Sequence, residues 1–363
     1  MAAKLDLVPS FPTWNRCTAW ESNHEQMRNR QVPNRVDSTM NLFGRVIMAF
    51  MPITPRAIVR FFSRRYVAGI ELQHAIEVMQ GMESENTSFT VDVLGEDIES
   101  IEETERFVTE YQRLIIAISE SGVDAHVSLK PTAFGLNIDY EQALSKVSDL
   151  AELARKHDIF VRLDMEDSNH TDSTLRMIED LHGRGYKNTG AVLQGRLYRT
   201  LQDLERLSAI LGPDADVRIC KGIYLEPSDI AHTGYREIVQ ATSEAIEKAL
   251  QLGMYVGVAS HDRPVIDSAT RSLNGMGMTP QGKDPRKPAP TKRSGKGNGY
   301  EFQFLLGVRG DVRRRLASEG HLTRVYIPYG KQWYEYSMRR LRENPGVAWH
   351  VAKSVLFPWT NRR

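Results

Sequence analysis

The stretch TGAVLQGRLYRTLQDLERLSAILGPDADVRICKGIY, Thr189 to Tyr224, decides the fold. It opens on an apolar run suited to a strand, Thr189–Gln194, and closes on a second, Asp216–Tyr224. Between them Leu201, Leu204, Leu207 and Leu211 recur every three or four residues, the spacing of one helix face. Thr200 stands where an N-cap belongs, and Gly212–Pro213 where a helix must stop. Strand, helix and strand in such short order make a βαβ unit, which joins parallel strands.

The same alternation extends both ways. Strand-like runs precede this unit at Ser88–Gly95, Asp124–Lys130 and Ile159–Met165, and follow it at Tyr255–His261, Tyr300–Gly307 and Arg324–Tyr329. A second helical period runs through Tyr140, Leu144, Val147, Ala151 and Ala154. A doubly wound sheet would show a Gly-rich phosphate turn after its first strand, and no GxGxxG occurs in the chain. Eight strand–helix units therefore predict a closed (βα)8 TIM-like α/β barrel over residues 85–350. Residues 1–39, broken by Pro9, Pro12 and Pro33, read as a flexible extension. Residues 40–84 read as N-terminal helices, interrupted at Pro52 and Pro55 and carrying Arg56, Arg60, Arg64 and Arg65. Residues 351–363 read as a tail. Asn274–Asn298 reads as a flexible basic insertion, with Lys283, Arg286, Lys287, Lys292, Arg293 and Lys296 against Asp284.

Composition narrows the class. Lys+Arg 47 against Asp+Glu 46 gives a net charge of +1, so no global field recruits nucleic acid, and no stable protein partner is implied. The longest apolar run, Val46–Ile53, is far short of the ~18 residues a spanning helix needs. The opening MAAKLDLVPS lacks the charged start and apolar core of a secretory leader. Cys17 and Cys220 are solitary, as expected in a reducing cytoplasm.

In such a barrel the catalytic groups sit at the carboxyl ends of the strands. Those positions here hold Glu96, Lys130, Asp164, Gln194, Lys221 with Tyr224, Ser260 with His261, and Tyr326. One such residue often only satisfies backbone groups, but so many in succession converge on one mouth. With Arg218 and the doublet Arg339–Arg340, that mouth leans cationic and suits a ligand with a carboxylate or phosphate. Neighbours on a helix point about 100° apart. Both arginines therefore reach one ligand only if their helix lies across the site. Otherwise, with Glu343, they form a surface ion-pair patch.

The strings LKPTAFGL (129–136), RLDMEDS (162–168), LQGRLYRT (193–200), RICKGIYLEP (218–227), ASHD (259–262), EFQFLLG (301–307), YIPYG (326–330) and EYSMRRLREN (335–344) resemble proline dehydrogenase, in order and closest to its monofunctional bacterial type. The resemblance implies a distorted (βα)8 barrel that holds FAD, with the last helix over the mouth. It implies oxidation of L-proline to Δ1-pyrroline-5-carboxylate, with electrons passed to a membrane quinone and a peripheral contact with the inner face of the membrane. Carried over by motif, Arg339, Arg340 and Lys130 clamp the proline carboxylate, and Asp164 pairs with Lys130. Leu305, Tyr326 and Tyr224 wall the ring, Tyr224 and Asp164 being the catalytic positions. Met165, Gln194, Arg218, Lys221, Gly222, Ile223, Ser260 and His261 match flavin-binding positions. No metal is implied.

The chain departs from the family pattern at Ile223, where alanine is usual, at Gly195–Arg196, at Cys220, and in the long 274–298 insertion. Two other readings use the same residues. Lys130 or Lys221 could form a Schiff base in a class I lyase. Alternatively, the barrel could be a non-catalytic module that binds anions through its basic insertion.

Overall fold

The computed structural model describes residues 59–60, 63–95, 98–291 and 298–343, with side chains up to Met338. Glu96, residues 1–39 and 40–58, residues 292–297 of the insertion, and residues 344–363 with the expected tail 351–363 lie outside the described residues. Helix α1 (Leu72–Met82) precedes β1 (Ser88–Val93), α2 (Thr104–Ser121), β2 (Ala125–Leu129), α3 (Tyr140–Lys156), β3 (Val161–Leu163) and α4 (Thr171–Gly183). Then come β4 (Thr189–Gln194), α5 (Thr200–Leu211), β5 (Asp216–Cys220), α6 (Tyr235–Gln251), β6 (Tyr255–Ala259), α7 (Arg263–Gly275), β7 (Tyr300–Leu305), α8 (Gly310–Ser318), β8 (Thr323–Tyr329) and α9 (Trp333–Glu343). All eight strands are parallel, and β8 closes on β1 with Thr90 opposite Tyr326 and Asp92 opposite Pro328.

Each helix lays one stripe on the barrel. In α2 the stripe is Phe107, Tyr111, Leu114, Ile115 and Ile118. In α5, Leu204, Leu207 and Leu211 are buried, but Leu201 is 41% exposed. At 100° per residue the first three fall within an arc of about 60°, and Leu201 stands off it. Thr200 also departs from its expected cap role. Its hydroxyl donates to the Gln194 carbonyl at 2.6 Å, fixing the end of β4. Gly212 ends α5 at φ +57°, ψ −133°, a region that favours glycine.

The barrel interior is unusually polar. Its lower part holds two buried ion pairs: Arg162–Asp216 at 2.5 Å, and Arg324–Glu301, which Tyr255 and Gln303 also engage. Gly190 makes room for the first, since a Cβ there would lie 2.6 Å from both Arg162 Nη1 and the Asp216 carbonyl oxygen. Removing one partner of such a buried pair would strand the other charge in the core.

Two segments set the rim. Ala68 N donates to the Pro328 carbonyl and Gly330 N to that of Gly69, and Tyr336 of α9 is buried with Tyr66, Val67 and Leu94. Leu94 immediately follows β1, so α9 packs against the mouth side of the barrel. At the opposite end, part of the stretch expected to be a flexible insertion is tied down. Arg286 donates to the carbonyls of Leu250 and Met254 and pairs with Asp284, while Thr291 donates to Pro213 and Asp214. An arginine with this many acceptors holds residues 284–291 on the barrel floor, which polarity alone does not reveal.

Candidate active site

Strand alternation sends Thr90 and Asp92, then His126, Ser128 and Lys130, to the barrel interior. At the carboxyl end these meet Asp164, Arg218 and Tyr326. Lys130 Nζ donates to Asp92 Oδ2 at 2.8 Å and Oδ1 at 3.0 Å. That corrects the expected pairing with Asp164. Asp164 is instead taken by three other groups: Ser128 Oγ donates to it at 2.5 Å, Tyr326 OH donates at 2.7 Å, and Arg218 forms a direct ion pair. The Arg218 guanidinium also lies 5.2 Å from the Tyr326 ring centroid, a cation–π distance. Asp92 is hidden in the sequence because the apolar run extends to Gly95, past the end of β1 at Val93, and so points to Glu96 as the strand end. The available signal was a lone carboxylate inside the apolar run SFTVDV.

The protonation states follow from these contacts. Burial opposes the charge on Lys130, but Asp92 and Asp164 outweigh it and hold the ammonium above the ordinary lysine range. For Asp164, burial is outweighed by Arg218 and Lys130, with Ser128 and Tyr326 donating hydrogen bonds, so its carboxyl lies below the ordinary range. Burial pushes the Tyr326 phenol well up, and the Asp164 charge adds to this. Asp164 is thus a fixed anion, Lys130 a fixed cation and Tyr326 a fixed donor.

A second group of residues lines the β4–β6 side. Gln194 is buried; its Nε2 donates to the Glu166 carbonyl at 2.7 Å, and its Oε1 has no hydrogen-bond partner. Such an orphaned acceptor is open to a donor from a bound molecule. Gly222, at φ +90°, comes so close that a Cβ would lie 2.5 Å from that same Oε1. Lys221 pairs with Asp262 and lies 5.3 Å from the Tyr235 ring centroid. Ser260 is buried, and its Oγ accepts from Asp262 N at 3.2 Å. His261 Nε2 accepts the Leu305 N–H at 2.9 Å, tying a position expected at the flavin to one expected in the ring wall. Met165 is buried beside Asp164. A free amide oxygen, a glycine held against it and the Lys221 ammonium fit the polar edge and phosphates of a flavin nucleotide.

Other expected positions are placed less directly. The loop after β5 bonds to residues 196–198: Arg196 Nη1 donates to the Tyr224 carbonyl, and Tyr198 N to that of Ile230 at 3.0 Å. Ile223 is 39% exposed, so it does not pack into the barrel wall. Arg339 and Arg340 lie on the described backbone of α9, with side chains outside the described residues. Among the described residues there is no cluster fit to hold a metal, and no helix long and apolar enough to cross a membrane.

The family model for proline dehydrogenase matches residues 75–353. The chain is 33% identical to proline dehydrogenase of Deinococcus radiodurans over 298 residues, 81% of this chain and 90% of that protein. It is 31% identical to proline dehydrogenase 1 of Bacillus subtilis strain 168, over 82% of this chain and 91% of that protein. Among solved structures, proline utilization A from Bdellovibrio bacteriovorus, inactivated by N-propargylglycine, superposes with a TM-score of 0.69 at 19% identity. The superposition covers 78% of this chain and 32% of that one, so the chain spans about a third of that larger protein, and the likeness shows the fold.

Proposed function

Because the chain belongs to the proline dehydrogenase family, we propose that it oxidises L-proline to Δ1-pyrroline-5-carboxylate, with FAD as cofactor and a quinone as the final electron acceptor. The reaction breaks the C–H bond beside the ring nitrogen and an N–H bond, forms a carbon–nitrogen double bond, and releases two electrons and two protons. FAD, when bound, supplies the two-electron acceptor.

The observation that carries this reading is the buried network Asp92–Lys130 beside Asp164–Arg218–Tyr326. Lys130 keeps its proton and so holds the substrate carboxylate, with Arg339 and Arg340 completing the clamp from α9. Tyr224, Tyr326 and Leu305 wall the ring. The fixed cations have a second effect: they disfavour a charged ammonium on the substrate and so favour the neutral amine that can release the C–H electron pair. Asp164 stays ionised and orients Tyr326 and Arg218 rather than storing the proton. Met165, Gln194, Arg218, Lys221, Gly222, Ile223, Ser260 and His261 would hold FAD. A Schiff base would need a neutral amine, and the carboxylates around Lys130 keep it protonated.

The test is colour. The purified protein is expected to be yellow and to bleach on anaerobic addition of L-proline, then to recover with a soluble quinone. A colourless preparation that still oxidises proline, or a nicotinamide requirement, refutes the reading. Binding to anionic vesicles at low salt would support a peripheral membrane contact for quinone delivery.

A further inference from the structure

One buried carboxylate at the mouth plays no part in the chemistry above. Glu166 is 4% exposed, and its side chain reaches back to the turn after β2, where Oε1 accepts from Thr132 Oγ1 at 2.5 Å and Oε2 from Thr132 N at 3.1 Å. Thr132 lies in the short helical turn Pro131–Phe134, whose N-cap is Lys130, and that turn carries no cap from its own side chain. The Glu166 main chain meanwhile accepts Gln194 Nε2 at 2.7 Å. Because a carbonyl can only accept, this bond fixes the orientation of the Gln194 amide, with the amine inward and the oxygen offered. One residue therefore ties together three strand ends: β2 with the substrate lysine, β3 with Asp164 and Met165, and β4 with Gln194.

We propose that Glu166 is a positioning residue, which registers the carboxylate-binding lysine and the flavin-binding glutamine to each other by bracing Thr132 with its side chain and Gln194 with its carbonyl. The assignment rests on the proline-oxidising, flavin-binding reading. The Thr132 bonds also hold the Glu166 main chain in place, so losing the side chain frees Thr132 and lets the carbonyl under Gln194 shift, loosening both halves of the site, whereas losing only the Thr132 hydroxyl loosens the substrate half. The test compares full-length holoenzymes carrying Glu166→Ala, Glu166→Gln and Thr132→Val. FAD dissociation is measured by equilibrium dialysis, and proline KM and kcat with a soluble dye. In Glu166→Ala both the FAD Kd and the proline KM are expected to rise at least fivefold. Glu166→Gln, which keeps an acceptor for Thr132 N and the shape of the side chain, stays within threefold on both. Thr132→Val raises KM at least threefold and leaves the FAD Kd within twofold. A Glu166→Ala enzyme of lower melting temperature with KM and Kd both within twofold overturns the assignment. If that variant fails to fold, Thr132→Val with unchanged KM overturns it. A wild-type protein that takes up no FAD overturns the functional reading, and this assignment with it.

Discussion

Replacing Asp92 by Asn removes the counter-charge of Lys130 and little else, since the two side chains have the same shape. Lys130 Nζ now donates to both Asp92 oxygens, at 2.8 and 3.0 Å, in a buried setting. Removing one partner of a buried pair costs about 3–5 kcal/mol, because the other charge stays behind. Asp164 remains close enough to act on Lys130, which places the expected loss near the low end, roughly 3 kcal/mol, or on the order of 5 °C in melting temperature. Without Asp92, the nearest charge holding the ammonium up is gone and the Lys130 pKa falls. Labelling of Lys130 by an amine-reactive reagent at pH 8, read by mass spectrometry, should therefore increase, and the proline KM should rise about tenfold, worth about 1.4 kcal/mol. Asp164→Asn should raise Lys130 labelling less, because Asp92 still holds the ammonium. If Asp164→Asn exposes Lys130 as much as Asp92→Asn does, or if Asp92→Asn costs under about 0.5 kcal/mol, the pairing described here is wrong.

Four further outcomes are expected. Gly190→Ala should cost at least about 2 kcal/mol in urea unfolding, since the new methyl meets a backbone oxygen that cannot move aside; near-wild-type stability would show that the strands shift to admit it. Burial holds the His182 ring below its ordinary pKa, with Nε2 bonded to the Thr189 carbonyl at 3.0 Å. The native state thus keeps the ring neutral while the unfolded chain takes up a proton, so its contribution is complete above about pH 6.5 and is lost as pH falls towards the folded pKa. The stability gap between wild type and His182→Gln should shrink across that window, and a constant gap would count against it. Arg339→Met and Arg340→Met should each weaken proline kcat/KM by about 2–4 kcal/mol, mainly through KM; two near-normal KM values would take the helix off the site. Ile223→Ala should change stability by less than about 0.5 kcal/mol, as its exposure implies. Its kcat/KM for 4-hydroxyproline relative to proline should rise by about tenfold to a hundredfold at most, and an unchanged ratio would deny Ile223 any part in specificity.

The sequence by itself determined the barrel. Local periodicity carries that information: an apolar run of period two and a leucine stripe of period three to four survive any detail of packing, and β4 was read to its last residue, Thr189–Gln194. The ordered motifs likewise placed Lys130, Asp164, Gln194, Arg218 and Tyr326 at one mouth, because strand ends of a closed parallel barrel have nowhere else to go. Pairing was another matter. Whether Lys130 turns to Asp92 or Asp164 depends on which strands are neighbours and how their registers stagger, and no local pattern encodes that stagger. The same holds for Thr200, whose hydroxyl serves the Gln194 carbonyl in place of its own helix, and for Arg286, whose acceptors come from distant backbone. Glu166 shows the division most clearly. It stands in plain view within RLDMEDS, yet its part in the site arises only when β2, β3 and β4 lie side by side and a buried carboxylate must find donors across the gap.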